Sequence, residues 1–290
     1  MLINATQPEE LRVAMVDGQR LYDLDLENRT REQHKSNIYK GKITRVEPSL
    51  EAAFVNYGSE RHGFLPLKEI SSEYFIKEVE PGSRINIKDV LKEGQEIAVQ
   101  IDKEERGKKG AALTTFVSLA GRFIVLKPNK ARSGGISRRI VGEDRDLARS
   151  SLREINIPTN MSVIVRTAGI DRTSDELEWD LNNLLAIWEA IKIVIVKRPS
   201  PFLAYKESNA VLRSLRDYLT NDVGEILIDG KIAYDEAKEF VEQVMPHNLK
   251  KLKFFDGDVP LFTKYQIESQ IESAYTHSVN LPSGGSVVID

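Results

Sequence analysis

Residues 37–66 read NIYKGKITRVEPSLEAAFVNYGSERHGFLP. The first piece places Tyr39, Gly41 and Ile43 on one face and Lys40, Lys42 and Thr44 on the other, the period-2 pattern of a half-buried strand. AAFVNYG repeats it with Ala53, Val55 and Tyr57 on the core side, and RHGFL follows. Further on, in QEIAVQIDKE, Ile97, Val99 and Ile101 alternate with Ala98, Gln100 and Asp102. Four or five short strands between Ile38 and Thr115, punctuated by glycine, predict a small barrel of OB type.

The same parity carries a functional reading. Phe54 shares a face with Asn56, and Phe64 shares one with His62, so two phenylalanines fall on the polar faces of neighbouring strands. The plain alternative is a slipped register with both rings in the core. Exposed rings beside the cationic loop RGKKG (106–110) suit single-stranded RNA, whose bases stack on rings while cations hold phosphates.

Outward from the barrel, LRVAMVDGQRLYDLDLE (11–27) alternates on both sides of Asp17-Gly18, a hairpin signal, and the polar run 27–37 reads as a connector. Past the barrel, GRFIVLKP, ISRRIVG and MSVIVRTAGI read as strands and GEDRDLARSSLREI as an amphipathic helix. A long helix capped near 174 stops before Pro199, after which SPF continues as loop. The remainder alternates helix (NAVLRSLRDYL), strand (GEILIDG), helix (YDEAKEFVEQVM), strand (KKLKFF) and helix (PLFTKYQIESQIESAYTHSV), which predicts α/β layering. The early hairpin has no partner strands of its own, so it is expected to join these late strands in a domain that the barrel and the middle segment interrupt. At the end, Pro282 to Gly285 predict a turn, with Val287, Val288 and Ile289 opening a buried strand.

The net charge of −3 gives no bulk argument for nucleic acid. Its distribution does: from Arg106 to Gly142 there is no Asp or Glu, while Arg106, Lys108, Lys109, Arg122, Lys127, Lys130, Arg132, Arg138 and Arg139 all lie there. A single-sign stretch among strand-like residues points to a local anion-binding surface. Arg166-Thr167 at a strand end could clasp a terminal phosphate, and GGISRR reads either as a second anion loop or as a hairpin.

No catalytic centre is visible. His34, His62, His247 and His277 are scattered, there is no cysteine, and neither a metal-ligand spacing, a nucleophile elbow nor a P-loop occurs. Asp17, Asp229 and Asp256 precede glycines, where turn formation suffices. No signal peptide or membrane-length apolar run is present, and the absence of cysteine suits a reducing cytoplasm.

At NIYKGKITRVEPSLEAAFVNYGSERHGFLPLKEI, KEERGKKGAALTT and GGISRRI the sequence closely resembles the amino-terminal half of the ribonuclease E/G family. The ribonuclease G branch is less similar at RHGFLPLKEI and YQIESQIESAY. The resemblance implies an α+β multidomain fold. An RNase H-like α/β domain (1–32 and 212–275) is interrupted by an S1 barrel of OB type (33–115) and a small α/β 5′-sensor (116–211), and residues 276–290 open a DNase I-like catalytic domain. It implies that Phe54, Phe64 and Lys109 contact RNA, and that Gly121, Val125 (through its backbone), Arg166 and Thr167 bind a 5′-monophosphate, with Arg138 and Arg139 nearby. It also implies a Mg2+-dependent endoribonuclease of single-stranded AU-rich RNA, acting in mRNA decay and in rRNA and tRNA processing. Its catalytic aspartates, shared Zn2+, homotetramer contacts and degradosome scaffold would lie outside these residues, leaving this segment inactive alone, in the cytoplasm or at the inner membrane. The competing readings are a stand-alone RNA-binding protein and a ribonuclease G paralogue.

Overall fold

The alternation at 37–66 closes into a barrel. In the computed structural model the strands Ile38–Glu47, Ala52–Asn56, Gly63–Pro66, Ala112–Thr114 and Glu96–Lys103 pair in that order, and the last returns to the first. The structure describes all residues except 8, 29–33, 78–84, 108, 132–133, 220–221, 282 and 289–290, and the side chain of Gln243. Residues 29–33 of the polar connector, and Lys108 and Arg132 of the basic run, therefore lie outside the described residues. Closure works because the first strand is long enough to share: residues 38–42 face 96–100, and residues 42–47 face 52–56. Ile43, Val55, Leu65, Ile97, Val99 and Leu113 fill the interior.

Two features of the barrel differ from the sequence reading. Residues 97–101 are all buried, so the strand does not alternate. The Gln100 amide donates to the carbonyls of Ser36 (2.9 Å) and Ser118 (3.0 Å), and its oxygen accepts from Ser118 N (2.8 Å), so the outer face is covered by the next segment. And the expected loop at SPF holds only for Ser200 and Pro201: Phe202 already opens a strand, Phe202–Tyr205, which pairs with residues 38–40. That stretch of barrel edge supplies backbone partners which a window around residue 202 cannot reveal.

After the barrel, a four-stranded sheet runs Gly135–Ile136, Ser162–Val165, Ile124–Lys127, Leu119–Ala120. The helices Gly142–Glu154 and Ser174–Lys197 pack with it over Ile124, Leu126, Val163, Val165, Leu181 and Trp188. The long helix opens in a capping box: the Thr173 hydroxyl accepts from Glu176 N and the Glu176 carboxylate accepts from Thr173 N. ISRRIVG is not a full strand. Only Gly135–Ile136 pairs, parallel to Ser162–Val165, and the next residues turn into the helix starting at Gly142. The hairpin alternative for GGISRR is thereby removed.

The chain divides into two compact units, His34–Glu207 and the discontinuous Met1–Gln33 with Ser208–Asp290. In the second, the sheet order is Leu252–Phe254, Ile226–Ile228, Leu2–Asn4, Glu10–Asp17, Arg20–Asn28. The first three are mutually parallel and the hairpin antiparallel. Alternation sorts neighbours to opposite faces: Ile3 and Val13 pack with Val211, Leu215, Ala237 and Val241 of the helices Ala210–Tyr218 and Lys231–Val244, while Leu2 and Ala14 meet Phe262 and Ile267. Asp229, beyond a turn role, accepts from Ala5 N (2.7 Å) and the Asn4 amide (2.5 Å). The single late helix expected at 260–279 is broken into Leu261–Lys264 and Glu268–Ala274 by Gln266 at φ 55°. The break lets Leu261, Phe262, Ile267 and Ile271 all reach one core. The terminal strand Ser286–Val288 pairs with Ser278–Asn280 and is exposed rather than buried. Among the described residues no helix is long and apolar enough to cross a membrane.

Candidate nucleic-acid interface

Phe54 and Phe64 are direct cross-strand partners on the outer surface of the barrel, each half-buried, while Val55 and Leu65 beside them are fully buried. Their rings meet edge to face with centroids 5.9 Å apart. The Arg45 guanidinium lies 4.6 Å from the Phe54 centroid. Strict alternation would have sent Arg45 inward with Ile43. A bulge between the two absorbs Thr44 and puts Arg45 opposite Phe54. The Thr44 hydroxyl donates to the Phe54 carbonyl (3.1 Å); with that proton committed, His62 Nδ1–H donates to the same hydroxyl across 3.0 Å. Beside the rings, the Arg61 guanidinium donates to the Gly107 carbonyl and anchors the loop that carries exposed Lys109. That loop is also pinned by paired Arg106 and Lys109 backbones (3.0 and 3.1 Å). Two rings, a stacked guanidinium and cations on a nearby loop can each contact a different part of a nucleotide.

The second group of residues converges on one corner of the four-stranded sheet. Arg166 Nη1 donates to the Gly121 carbonyl at 2.6 Å, and Arg166 N donates to the Phe123 carbonyl at 2.8 Å. Thr167 follows at the surface, at the head of a short 3-10 turn. Val125 lies in the central strand, opposite Ala120 on one side and Ile164 on the other. Ser137 N donates to the Val165 carbonyl (2.8 Å), which brings the turn bearing exposed Arg138 and Arg139 to the same strand end. Arg145 holds that turn through the carbonyls of Ser137 (3.0 Å) and Ile140 (3.1 Å).

The keystone of the corner is a residue the sequence reading passed over. Asp180 is buried on the long helix, and its carboxylate accepts from the backbone N–H groups of Arg122 (3.2 Å), Phe123 (2.8 Å) and Ile124 (3.1 Å). Burial pushes its pKa above the ordinary carboxylate value, opposed by these three donors and by the charge of Arg166. Gly121 has no room for a side chain, since an added Cβ would lie 2.5 Å from Asp180 Oδ2. The signal was legible in principle: Asp180 shares the helix face of Leu177, Leu181 and Leu184, and a carboxylate in an apolar stripe requires donors from elsewhere.

Residues 32–116 match the S1 RNA binding domain, and residues 118–290, more than half of the chain, match the Ribonuclease E/G family. The chain belongs to the ribonuclease E/G family. It is 60% identical over its full length to ribonuclease E of Haemophilus influenzae and 60% identical to that of Escherichia coli, of which it spans 31% and 27%. With ribonuclease G of Haemophilus influenzae the identity is 33%, and 59% of that protein is spanned. The barrel is thus the S1 domain of a ribonuclease E/G family chain, in a mixed α+β setting. The chain spans less than a third of the length of the two ribonuclease E relatives. Among the described residues no three His, Asp or Glu side chains converge to hold a metal ion.

Proposed function

We propose that this chain is the RNA-binding and 5′-end-reading portion of an endoribonuclease that cleaves single-stranded AU-rich RNA in mRNA decay and rRNA and tRNA processing. The observation that carries the reading is the Phe54–Phe64 ring pair on the outer face of an S1 barrel with Arg45 stacked on it. A base gains about 1–3 kcal/mol by stacking on such a ring, while a cation beside the ring pairs with the phosphate of the same nucleotide. Lys109 extends the cationic track.

The corner at Gly121, Val125, Arg166 and Thr167 then takes the terminal phosphate. The Arg166 guanidinium supplies charge-assisted donors and Thr167 a hydroxyl, with Arg138 and Arg139 at its rim. A site built around one phosphate disfavours the bulk of a triphosphate. On this reading residues 116–211 are a 5′-sensor, residues 1–32 with 212–275 an RNase H-like structural domain, and 276–290 the beginning of a DNase I-like domain. On this reading the sites for the Mg2+ and Zn2+ expected of the family lie outside these residues. Their chemistry, the homotetramer and the degradosome contacts are assigned to the length of the relatives that this chain does not span. This segment contributes binding in a cytoplasmic enzyme and should not cleave RNA alone.

The test is binding of one fluorescent single-stranded oligonucleotide prepared with 5′-monophosphate, 5′-triphosphate and 5′-hydroxyl ends. Tighter binding of the monophosphate than of both others supports the reading. Equal affinity for the three ends defeats the sensor assignment, and no measurable RNA binding defeats the whole.

A further inference from the structure

Two lysines of the acid-free run, Lys127 and Lys130, belong to neither site described above. They line a groove of about 310 Å3 between the barrel and the segment that follows it, together with Phe116, Ser118 and Lys35. The volume falls at the lower end of small-ligand sites. We propose that this groove is a further RNA subsite, in which the base of one nucleotide of a single strand stacks on Phe116 and its phosphate is held by Lys127 and Lys130. The inference rests on the RNA-binding reading of the S1 face and extends the track beyond it.

The walls are preorganised. Asn129 accepts from Val117 N (3.1 Å) and donates to the Thr115 carbonyl (2.6 Å), while Gln100 holds Ser118 through both its N–H and its carbonyl. The segment 115–118 is therefore braced from both sides. Between the braces Phe116, half-buried, presents its ring with the Lys130 ammonium 4.4 Å from the centroid. A base can take the ring face as that ammonium turns to the phosphate. The Lys127 ammonium is pushed below its ordinary pKa first by burial and then by the like charge of Lys130. An anion between the two relieves that repulsion. Glu69 and Asp102 also border the groove, but the Glu69 carboxylate is engaged by the Thr114 hydroxyl (3.0 Å), and three lysines outnumber the two acids.

Position supports continuity with the ring pair. Phe64 pairs with Ala112 about 5 Å away on the neighbouring strand, and Phe116 lies four residues beyond Ala112, at most about 14 Å further at 3.6 Å per residue. A strand of a few nucleotides spans that distance.

The experiment compares a 4-nucleotide and a 15-nucleotide single-stranded RNA, both 5′-hydroxyl, by fluorescence anisotropy over a salt series. The proteins are wild type, Phe54→Ala, Phe116→Ala, Phe116→Trp and Lys127→Ala/Lys130→Ala, each checked for folding by circular dichroism. Phe116→Ala should raise Kd for the longer RNA by about 5- to 150-fold and Phe116→Trp should retain binding. The double lysine variant should flatten the slope of log Kd against log salt by about 1.4. If Phe54→Ala weakens binding while the Phe116 and lysine variants match wild type, the groove proposal is overturned and the S1 reading stands. If Phe54→Ala is also silent, the S1 reading itself fails and the groove proposal with it. Because the lysines lie outside the core, their slope change remains readable even if Phe116→Ala impairs folding.

Discussion

Replacing Asp180 tests whether the phosphate corner is held from behind by one buried carboxylate. In Asp180→Ala three backbone N–H groups, at Arg122, Phe123 and Ile124, lose their acceptor inside the protein. Each buried unsatisfied group costs about 1–3 kcal/mol, and partial relaxation makes the sum less than additive, so the expected loss is about 3–5 kcal/mol. Asp180→Asn separates charge from hydrogen bonding. An amide oxygen in the place of Oδ2 keeps Phe123 and Ile124, while its NH2 confronts the Arg122 N–H. One lost bond predicts about 1–3 kcal/mol, reduced because the neutral side chain escapes the burial that pushes the Asp180 pKa up. The sign follows: a carboxyl whose folded pKa is raised binds its proton more tightly in the folded state. Its ionisation therefore removes stability as pH rises through that range, and the asparagine variant lacks this decline. Both tryptophans, Trp179 and Trp188, lie on the helix that carries Asp180, so urea unfolding followed by their fluorescence reports on this unit. Equal losses in the two variants, or a loss under about 1 kcal/mol in Asp180→Ala, would refute the brace.

Other perturbations separate the surfaces. Phe54→Ala should raise Kd for single-stranded RNA by about 5- to 150-fold with the barrel still folded; unfolding with binding preserved would return the ring to the core. Arg166→Ala should equalise affinity for 5′-monophosphate and 5′-hydroxyl ends and leave binding of circular RNA unchanged; a uniform loss across all three contradicts the end-reading role. The Glu96 carboxylate accepts from Lys40 Nζ (2.6 Å) and from Ser200 N (2.9 Å) and Oγ (2.8 Å), contacts that hold its pKa down at about 2. A depressed carboxyl stabilises the fold above its ordinary range of about 4.5, and that contribution is lost as pH falls toward 2. Glu96→Gln should therefore show a shallower fall in Tm between those values than wild type, and parallel Tm curves would show that the latch carries no stability.

The parts of the fold legible in the sequence are those whose pattern is local. The barrel strands alternate, the hairpin surrounds Asp17-Gly18, and Thr173 with Glu176 announces the long helix. The parity of Phe54 was readable because no bulge interrupts Ala52–Asn56, whereas the bulge at Thr44 in the facing strand hid Arg45. Phe202–Tyr205 was missed because its ladder partners, Ile38 to Lys40, lie far away in the chain. Asp180 was missed because the loop it braces lies 56 to 58 residues earlier; its place in the apolar stripe of Leu177, Leu181 and Leu184 signals a need for donors without saying where they come from. The left-handed turn at Gln266, which splits the expected helix, is set by the core that Phe262 and Ile267 must both enter.

The discontinuous sheet has a consequence for synthesis. Leu2–Asn4 sits between Glu10–Asp17 and Ile226–Ile228, and Ala5 N bonds to Asp229 across 224 residues of chain. On a ribosome adding about 5–20 residues per second, the hairpin emerges many seconds before its parallel neighbour exists. Through that interval the strand edge at Leu2–Asn4 is unpaired, while His34–Glu207 has its whole hydrophobic interior already translated. The inserted unit is thus positioned to fold first, and until Ile226–Ile228 is made the edge of Leu2–Asn4 stays open to mispairing.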